Sequence, residues 1–496
     1  MTDTHPLVDT AAGRVRGLWR EIPGSPARSA AFLGIPFAQP PVGELRFAAP
    51  VPVAKWEGVR DALSFAATAQ RGDPGVTLIP EPSVPGESTL NVNVFTPAPG
   101  DTDAALPVLV WIHGGGYFAG SPASPWYDGR SFNRDGVVTV TTSYRLGFDG
   151  FGWIEDAPAN RGVRDWLLAL EWVQQNIAVF GGDPARVTIA GQSAGGGAVL
   201  TLLGMPAAQH LFRSAYALSG ATTDVAPARA EALGRDIAGR LGVAPTRAGL
   251  STASEERMLE AQKAATEISG PDAMGRMVKE GLGLGPAIDG DLITRPTLES
   301  LAAGVGADKP LVLGATDDEF SMVVARAASR LRWIPLSVLL GRTGLKGAAL
   351  KAYLAANRDV AARGHAAVLG RYLTDGMFRT KVVTTARARG AAPTWVYQYS
   401  YRSTQPGATQ GLSVHCIDVP FWFDCLDSVQ LEGLTGPRPP QELADATHAA
   451  AVALISRGDP GWPRWSDQPG TARVFGGEAG VVSDATDAYA SVLPLI

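Results

Sequence analysis

The stretch that most constrains this 496-residue chain is Gly191-Gln192-Ser193-Ala194-Gly195, a G-x-S-x-G pattern. Before it runs Arg186-Val187-Thr188-Ile189-Ala190, a β-branched apolar run of buried-strand type. After it runs Gly196-Gly197-Ala198-Val199-Leu200-Thr201-Leu202-Leu203, small and apolar, able to start a helix. Strand, sharp turn and helix together make a strained elbow that pushes one serine hydroxyl out at the C-terminal edge of a sheet. The flanking glycines fit because such a turn leaves no room for a Cβ on either side. In a chain with 58 glycines the pattern alone is weak, so its meaning depends on what accompanies it.

Upstream, Leu106-Pro107-Val108-Leu109-Val110-Trp111-Ile112 reads as a buried strand, and His113-Gly114-Gly115-Gly116-Tyr117 follows at once. Three glycines in a row let backbone N–H groups turn toward one point. After an early core strand this is the pattern of an oxyanion loop in esterases and lipases. The N–H groups of Gly115, Gly116 and Ala194 are therefore expected to converge on a developing oxyanion.

In such an architecture an acid and then a histidine follow the serine, each after a core strand. Pro310-Leu311-Val312-Leu313-Gly314-Ala315-Thr316 is a candidate strand, and Asp317, Asp318 and Glu319 follow it. These three carboxylates compete for the acid role. Thr394-Trp395-Val396-Tyr397-Gln398-Tyr399 is an aromatic, β-branched strand, and a polar loop leads from it to His415. His365 and His448 fall in stretches that read as helix, His113 belongs to the glycine loop, and His5 lies in the N-terminal tail. His415 is thus the candidate base.

The chain resembles the type-B carboxylesterases, the family of bacterial p-nitrobenzyl esterases, liver carboxylesterases and cholinesterases. Phe32-Leu33-Gly34-Ile35-Pro36-Phe37-Ala38-Gln39-Pro40-Pro41-Val42-Gly43-Glu44-Leu45-Arg46-Phe47 is similar to the family's entry signature. Ser143-Tyr144-Arg145-Leu146-Gly147 and Asn176-Ile177-Ala178-Val179-Phe180-Gly181-Gly182-Asp183-Pro184 match later segments. Gly458-Asp459-Pro460 with Trp462-Pro463 matches its C-terminal end. The resemblance implies an α/β-hydrolase fold: a large, mixed, mostly parallel central sheet in one domain over residues 1–496. Helical cap insertions are expected at about 222–308 and 320–388.

The resemblance also selects Glu319 as the acid, leaving Asp317 and Asp318 solvated or structural. Ser193, Glu319 and His415 would form the triad, with Ser219 supporting it from behind. Two departures stand out: Phe320 and Cys416 occupy positions where the family carries glycine. Arg46 and Glu87 match a structural ion pair of the family. Secreted members carry a disulfide in the early loop, where this chain has Thr68 and Thr89. The loop lacks the tryptophan of cholinesterases, and neutral Gln192 stands where they carry glutamate. Neutral, moderately apolar esters are therefore the expected substrates. Tyr117, Phe118, Gln192, Phe320 and Phe421 are candidates for the pocket, and Trp126 and Trp333 for a wider apolar gorge. A carbamate or amide hydrolase is the alternative, and a non-catalytic neuroligin-like module is disfavoured by the intact triad.

No metal or organic cofactor is expected. The net charge of −5 and the lack of a basic groove argue against nucleic acid. The N-terminus lacks the basic and apolar regions of a signal peptide, and no apolar run approaches membrane-spanning length. A cytoplasmic bacterial enzyme is expected, with a small-molecule ester as partner and no membrane. Monomer and dimer both stay open. The two cysteines, Cys416 and Cys425, are read as unpaired. The Pro/Gly-rich stretch 72–86 reads as a surface loop.

Overall fold

The computed structural model describes residues 5–70, 77–268, 270, 273–325, 327–478 and 480–496. Its centre is a sheet of eleven strands. In chain order these are β1 (Leu18–Glu21), β2 (Arg28–Pro36), β3 (Asn91–Thr96), β4 (Leu106–Ile112), β5 (Val138–Thr142) and β6 (Gly182–Gln192). They continue with β7 (Ser214–Leu218), β8 (Leu311–Thr316), β9 (Thr394–Tyr399), β10 (Ala472–Gly477) and β11 (Gly480–Ala485). Across the sheet the order is β11-β10-β9-β8-β7-β6-β4-β5-β3-β2-β1.

Strands β4 to β10 pair in parallel, while β1, β2, β3 and β11 join antiparallel at the two edges. This is the mixed, mostly parallel sheet expected. The parallel strands are covered on both faces, which explains their uninterrupted apolar runs. Strands β4, β7 and β8 are buried almost throughout. A separate three-stranded sheet joins Leu7–Asp9, Arg14–Arg16 and Val59–Asp61.

Helix α1 (Arg161–Asn176) turns Val163, Trp166, Leu170 and Val173 into the main core. Helix α2 (Ala194–Leu203) is buried along its whole length and leaves the sheet at the end of β6. Helix α3 (Gln441–Arg457) packs on the opposite side, in a core rich in Trp111, Trp395 and Trp422. The sequence order reverses between β4 and β6, so their carboxyl ends open a crevice where open α/β sheets place ligands.

The insertions at about 222–308 and 320–388 are mainly helical, including Pro227–Leu241, Glu255–Thr266, Gly347–Ala356, His365–Thr374 and Thr380–Ala388. Residues 77–86 of the Pro/Gly-rich stretch form no helix or strand, and 72–76 lie outside the described residues. The Arg46–Glu87 pair does not form: Arg46 takes Asp149 at 3.1 Å, and its guanidinium also donates to the Ala253 carbonyl. The buried Arg145–Asp165 pair, at 2.7 Å, ties the start of α1 to the segment after β5. No described helix is long and apolar enough to cross a membrane.

Candidate active site

Ser193 sits between β6 and α2 with φ 59° and ψ −123°, a backbone conformation that L-residues rarely adopt. Its N–H is held by the Leu218 carbonyl at 2.9 Å. A side chain at Gly195 would lie 2.0 Å from the Ile112 carbonyl oxygen, so the close approach of β4 requires glycine there. The elbow therefore forms because small residues let two strand ends and a helix start meet at one point.

The glycine loop after β4 comes up against this elbow. A Cβ on Gly114 would stand 3.1 Å from Ser193 Cβ. Gly115 and Gly116 have φ 110° and 61°, conformations that glycine holds without strain. Among the described residues, none of the N–H groups of Gly115, Gly116 and Ala194 donates a hydrogen bond. His113 accounts for the loop's support rather than its chemistry. Its ring stacks on Tyr144 at 4.5 Å and its Nδ1 meets the Gly114 carbonyl at 2.8 Å. Burial pushes its titration down to about 4, so it stays neutral.

The acid-bearing loop separates its three carboxylates. Glu319 is fully buried, accepts from the Thr316 N–H at 2.9 Å through Oε1, and bonds His415 Nδ1 through Oε2. The backbone reinforces the pairing, because the His415 N–H donates to the Glu319 carbonyl at 2.9 Å. Asp317 instead accepts from Gln398 at 2.7 Å and pairs with Arg379 at 3.3 Å. Asp318 accepts from the Ser413 N–H at 3.2 Å and faces Arg363 at 3.8 Å. Both aspartates are buried and structural, not solvated.

Burial works against charge on His415, yet its titration is raised well above the ordinary imidazole value. Cys416 and Glu319 are the neighbours that favour the cation. Burial pushes the Cys416 thiol up, so it is uncharged near neutrality, and the Glu319 carboxylate supplies the effect. Nδ1 donates to Glu319, which leaves the Nε2 lone pair free to accept. In this structure Nε2 is met at 3.1 Å by the amide nitrogen of Gln192, the residue before the elbow serine. Among the described residues, that bond links the elbow to His415, and the Ser193 hydroxyl makes none.

The two departures from the family pattern have physical consequences. Cys416 adopts φ 70°, a left-handed conformation that glycine would hold without strain. The Phe320 ring packs on the His415 ring at 4.8 Å. Phe378 packs beside it at 5.0 Å from His415. Sequence reading missed Phe378. It lies in a one-turn π-helix, Asp375–Arg379, which also carries Arg379 to Asp317. The Asp-x-x-x-Arg spacing is the only trace of this turn in the sequence.

The pocket expectations separate. Phe118 is 54% exposed and its ring covers Gly116. Tyr117 is fully buried against Phe151 and Trp166. Phe421 is likewise buried, between Tyr399 and Tyr401. Trp126 is buried with its indole N–H on the Val429 carbonyl, while Trp333 is 76% exposed. Ser219 has φ 45° and its N–H on Gly314, but no hydrogen bond from its hydroxyl reaches the triad. A cavity of about 490 Å³ lies between Ala325 and the loop Gly407–Leu412; none of the expected pocket residues lines it.

The sequence matches the carboxylesterase family over residues 4–460. It is 30% identical to the para-nitrobenzyl esterase of Bacillus subtilis, covering 97% of both chains. It is 32% identical to liver carboxylesterase 1 of Oryctolagus cuniculus, over 80% of this chain and 76% of that protein. The crystal structure of a carboxylesterase of Geobacillus stearothermophilus superposes with a TM-score of 0.80 at 30% identity, covering 98% of this chain and 99% of the other. The chain belongs to the carboxylesterase family and is a carboxylic-ester hydrolase.

Proposed function

We propose that the hydrolysis runs through an acyl-enzyme on Ser193, with His415 as base, Glu319 as acid partner, and the N–H groups of Gly115, Gly116 and Ala194 as oxyanion hole. The observation that carries this reading is the Glu319–His415 bond at the foot of the strained Ser193 elbow. A serine hydroxyl is a weak nucleophile at neutral pH, so a neutral imidazole must take its proton as it attacks the ester carbonyl. Glu319 holds the Nδ1–H tautomer and stabilises the imidazolium that forms. Charge then builds on the former carbonyl oxygen, where one preorganised N–H donor is worth about 3 kcal/mol. The imidazolium returns its proton to the leaving alcohol, and water repeats the two steps on the acyl group.

Substrates are neutral, moderately apolar esters. Uncharged Gln192 and the rings of Phe118 and Phe320 support that choice. The relatives are named as ester hydrolases, which favours esters over the carbamate or amide alternative. The insertions at about 222–308 and 320–388 act as caps on one α/β-hydrolase domain. Their support is that Phe320 and Phe378, from the second insertion, pack on His415. A cytoplasmic location is supported by two buried, unpaired thiols, Cys416 and Cys425, and a bacterial source by the likeness to the Bacillus subtilis esterase.

The test is initial rates on p-nitrophenyl acetate, butyrate and octanoate beside a phenylcarbamate and an anilide. Ester turnover well above the other two, and lost in Ser193→Ala, is expected. Ester turnover that survives Ser193→Ala would refute the reading, and carbamate turnover rivalling the esters would replace the substrate class.

A further inference from the structure

The chain carries a net charge of −5, yet from Ser321 to Arg358 it contains no aspartate or glutamate. Six described cations lie in that stretch: Arg330, Arg332, Arg342, Lys346, Lys351 and Arg358, all exposed. Among the described residues none of the six forms an ion pair. Elsewhere this protein pairs many of its surface arginines, for example Arg14 with Asp9 and Arg473 with Asp484. Such a run of unpaired positive charge on an acidic protein calls for a negative partner outside the chain.

The same stretch exposes large apolar side chains. Val323 is 63% exposed, Trp333 76%, Val338 46% and Ile334 38%. They stand on or beside three short helices, Ser321–Ala325, Ala328–Leu331 and Leu336–Gly341, each packed on His365–Thr374. The helices do have a core side. Leu331, Leu336, Leu339 and Leu340 turn inward onto a cluster with Tyr353, Val368 and Leu369. The outward tryptophan, isoleucine and valines are surplus to that core, and Arg330 and Arg332 come just before Trp333 and Ile334.

We propose that this face docks on an anionic phospholipid bilayer, peripherally and without spanning it. Cations interleaved with an exposed tryptophan and aliphatic residues match the two layers of a membrane surface, phosphate headgroups outside and acyl chains beneath. An amphipathic indole is the side chain that settles at that boundary. An acidic protein would be read through shaped pockets, whereas Trp333 stands out from the surface. The docking revises the expectation of no membrane partner. It is independent of the triad, but it has a consequence for it. Val323 is three residues from Phe320, whose ring packs on His415, so docking brings the esterase site to a phase in which apolar esters dissolve.

The experiment is sedimentation of the full-length enzyme with vesicles of phosphatidylcholine, with and without one-third phosphatidylglycerol. Wild type is expected to pellet with the anionic vesicles, at least about tenfold more tightly than with pure phosphatidylcholine. Raising the salt from about 0.05 to about 0.3 M should release it. Trp333→Ser/Ile334→Ser and Arg330→Ser/Arg332→Ser/Arg342→Ser should each weaken binding about tenfold while melting at the wild-type temperature. Wild type remaining in the supernatant with anionic vesicles would overturn the proposal. So would variants that bind as well as wild type, or full displacement by polyglutamate at equal charge, which would point to an acidic polymer instead.

Discussion

In the proposed mechanism turnover depends on the protonation of one ring, His415, because only its neutral form can take the serine proton. Its titration is raised, so kcat/KM should fall as pH drops through a value above the ordinary imidazole pKa of about 6.5. Glu319→Gln removes the carboxylate that favours the cation. The acid limb should then move to lower pH, with kcat reduced by roughly 10⁴ because the tautomer is no longer enforced. Gln192→Glu should do the reverse, since a carboxylate 3.1 Å from Nε2 would favour the imidazolium and lift the acid limb further. A pH–rate profile of each variant decides both signs, and an unmoved limb in Gln192→Glu would rule out the contact in solution.

Cys416 offers a different single-residue test. Its φ of 70° costs a non-glycine residue roughly 1 kcal/mol, so Cys416→Gly should raise the melting temperature and leave ester turnover intact. Asp418 is buried near the Glu319 carboxylate, and these two influences push its titration up to about 7, against about 3.9 in an unfolded chain. Between those values the folded protein holds the extra proton, so stability falls as pH rises through that window. Asp418→Asn should remove that slope from a plot of melting temperature against pH. At this scale the sequence carries local motifs more readily than the direction in which a side chain packs. Ser193 and His415 stand out by spacing and context, whereas Glu319 was separated from Asp317 and Asp318 only by the resemblance to a family. Nothing in an aromatic residue's identity tells whether it is exposed, as Phe118 is, or packed in the core, as Tyr117 and Phe421 are.

Among the elements, two interior parallel strands were legible to the residue: Leu106–Ile112 and Thr394–Tyr399 are strands over the spans their composition implied, while the run 186–190 is only the middle of the strand Gly182–Gln192. Strands buried on both faces tend to read as unbroken apolar runs, which is what made these two visible. The π turn at Asp375–Arg379 was invisible, because one extra residue in a helix leaves the hydrophobic period almost unchanged. Yet it carries Phe378 onto His415 and pairs Arg379 with both Asp317, at 3.3 Å, and Asp375, at 3.0 Å. Arg379→Met would leave two buried carboxylates without their cation. A loss of about 3–5 kcal/mol in urea unfolding is expected, and Arg379→Lys should lose less. Equal stability of Arg379→Met and wild type would mean that the turn does not rest on these pairs.

For the molecule as a whole, strand order was beyond any pattern in the sequence. Periodicity says that a segment is a strand, and it does not say which strand lies beside it. The resemblance to a family implied a large, mixed, mostly parallel sheet; the eleven strands and their order come from the structure, and the crevice between β4 and β6 is where the glycine loop and the elbow meet. The central claim is that Ser193, and no other side chain of this fold, takes the acyl group. The direct measurement is intact-protein and peptide mass spectrometry after treatment with a fluorophosphonate ester, which a serine hydrolase captures as a stable adduct. One adduct per chain is expected, on the peptide holding Ser193, with ester turnover lost in proportion and the adduct missing in His415→Ala. An adduct on another residue, or full turnover in protein labelled at Ser193, would contradict it.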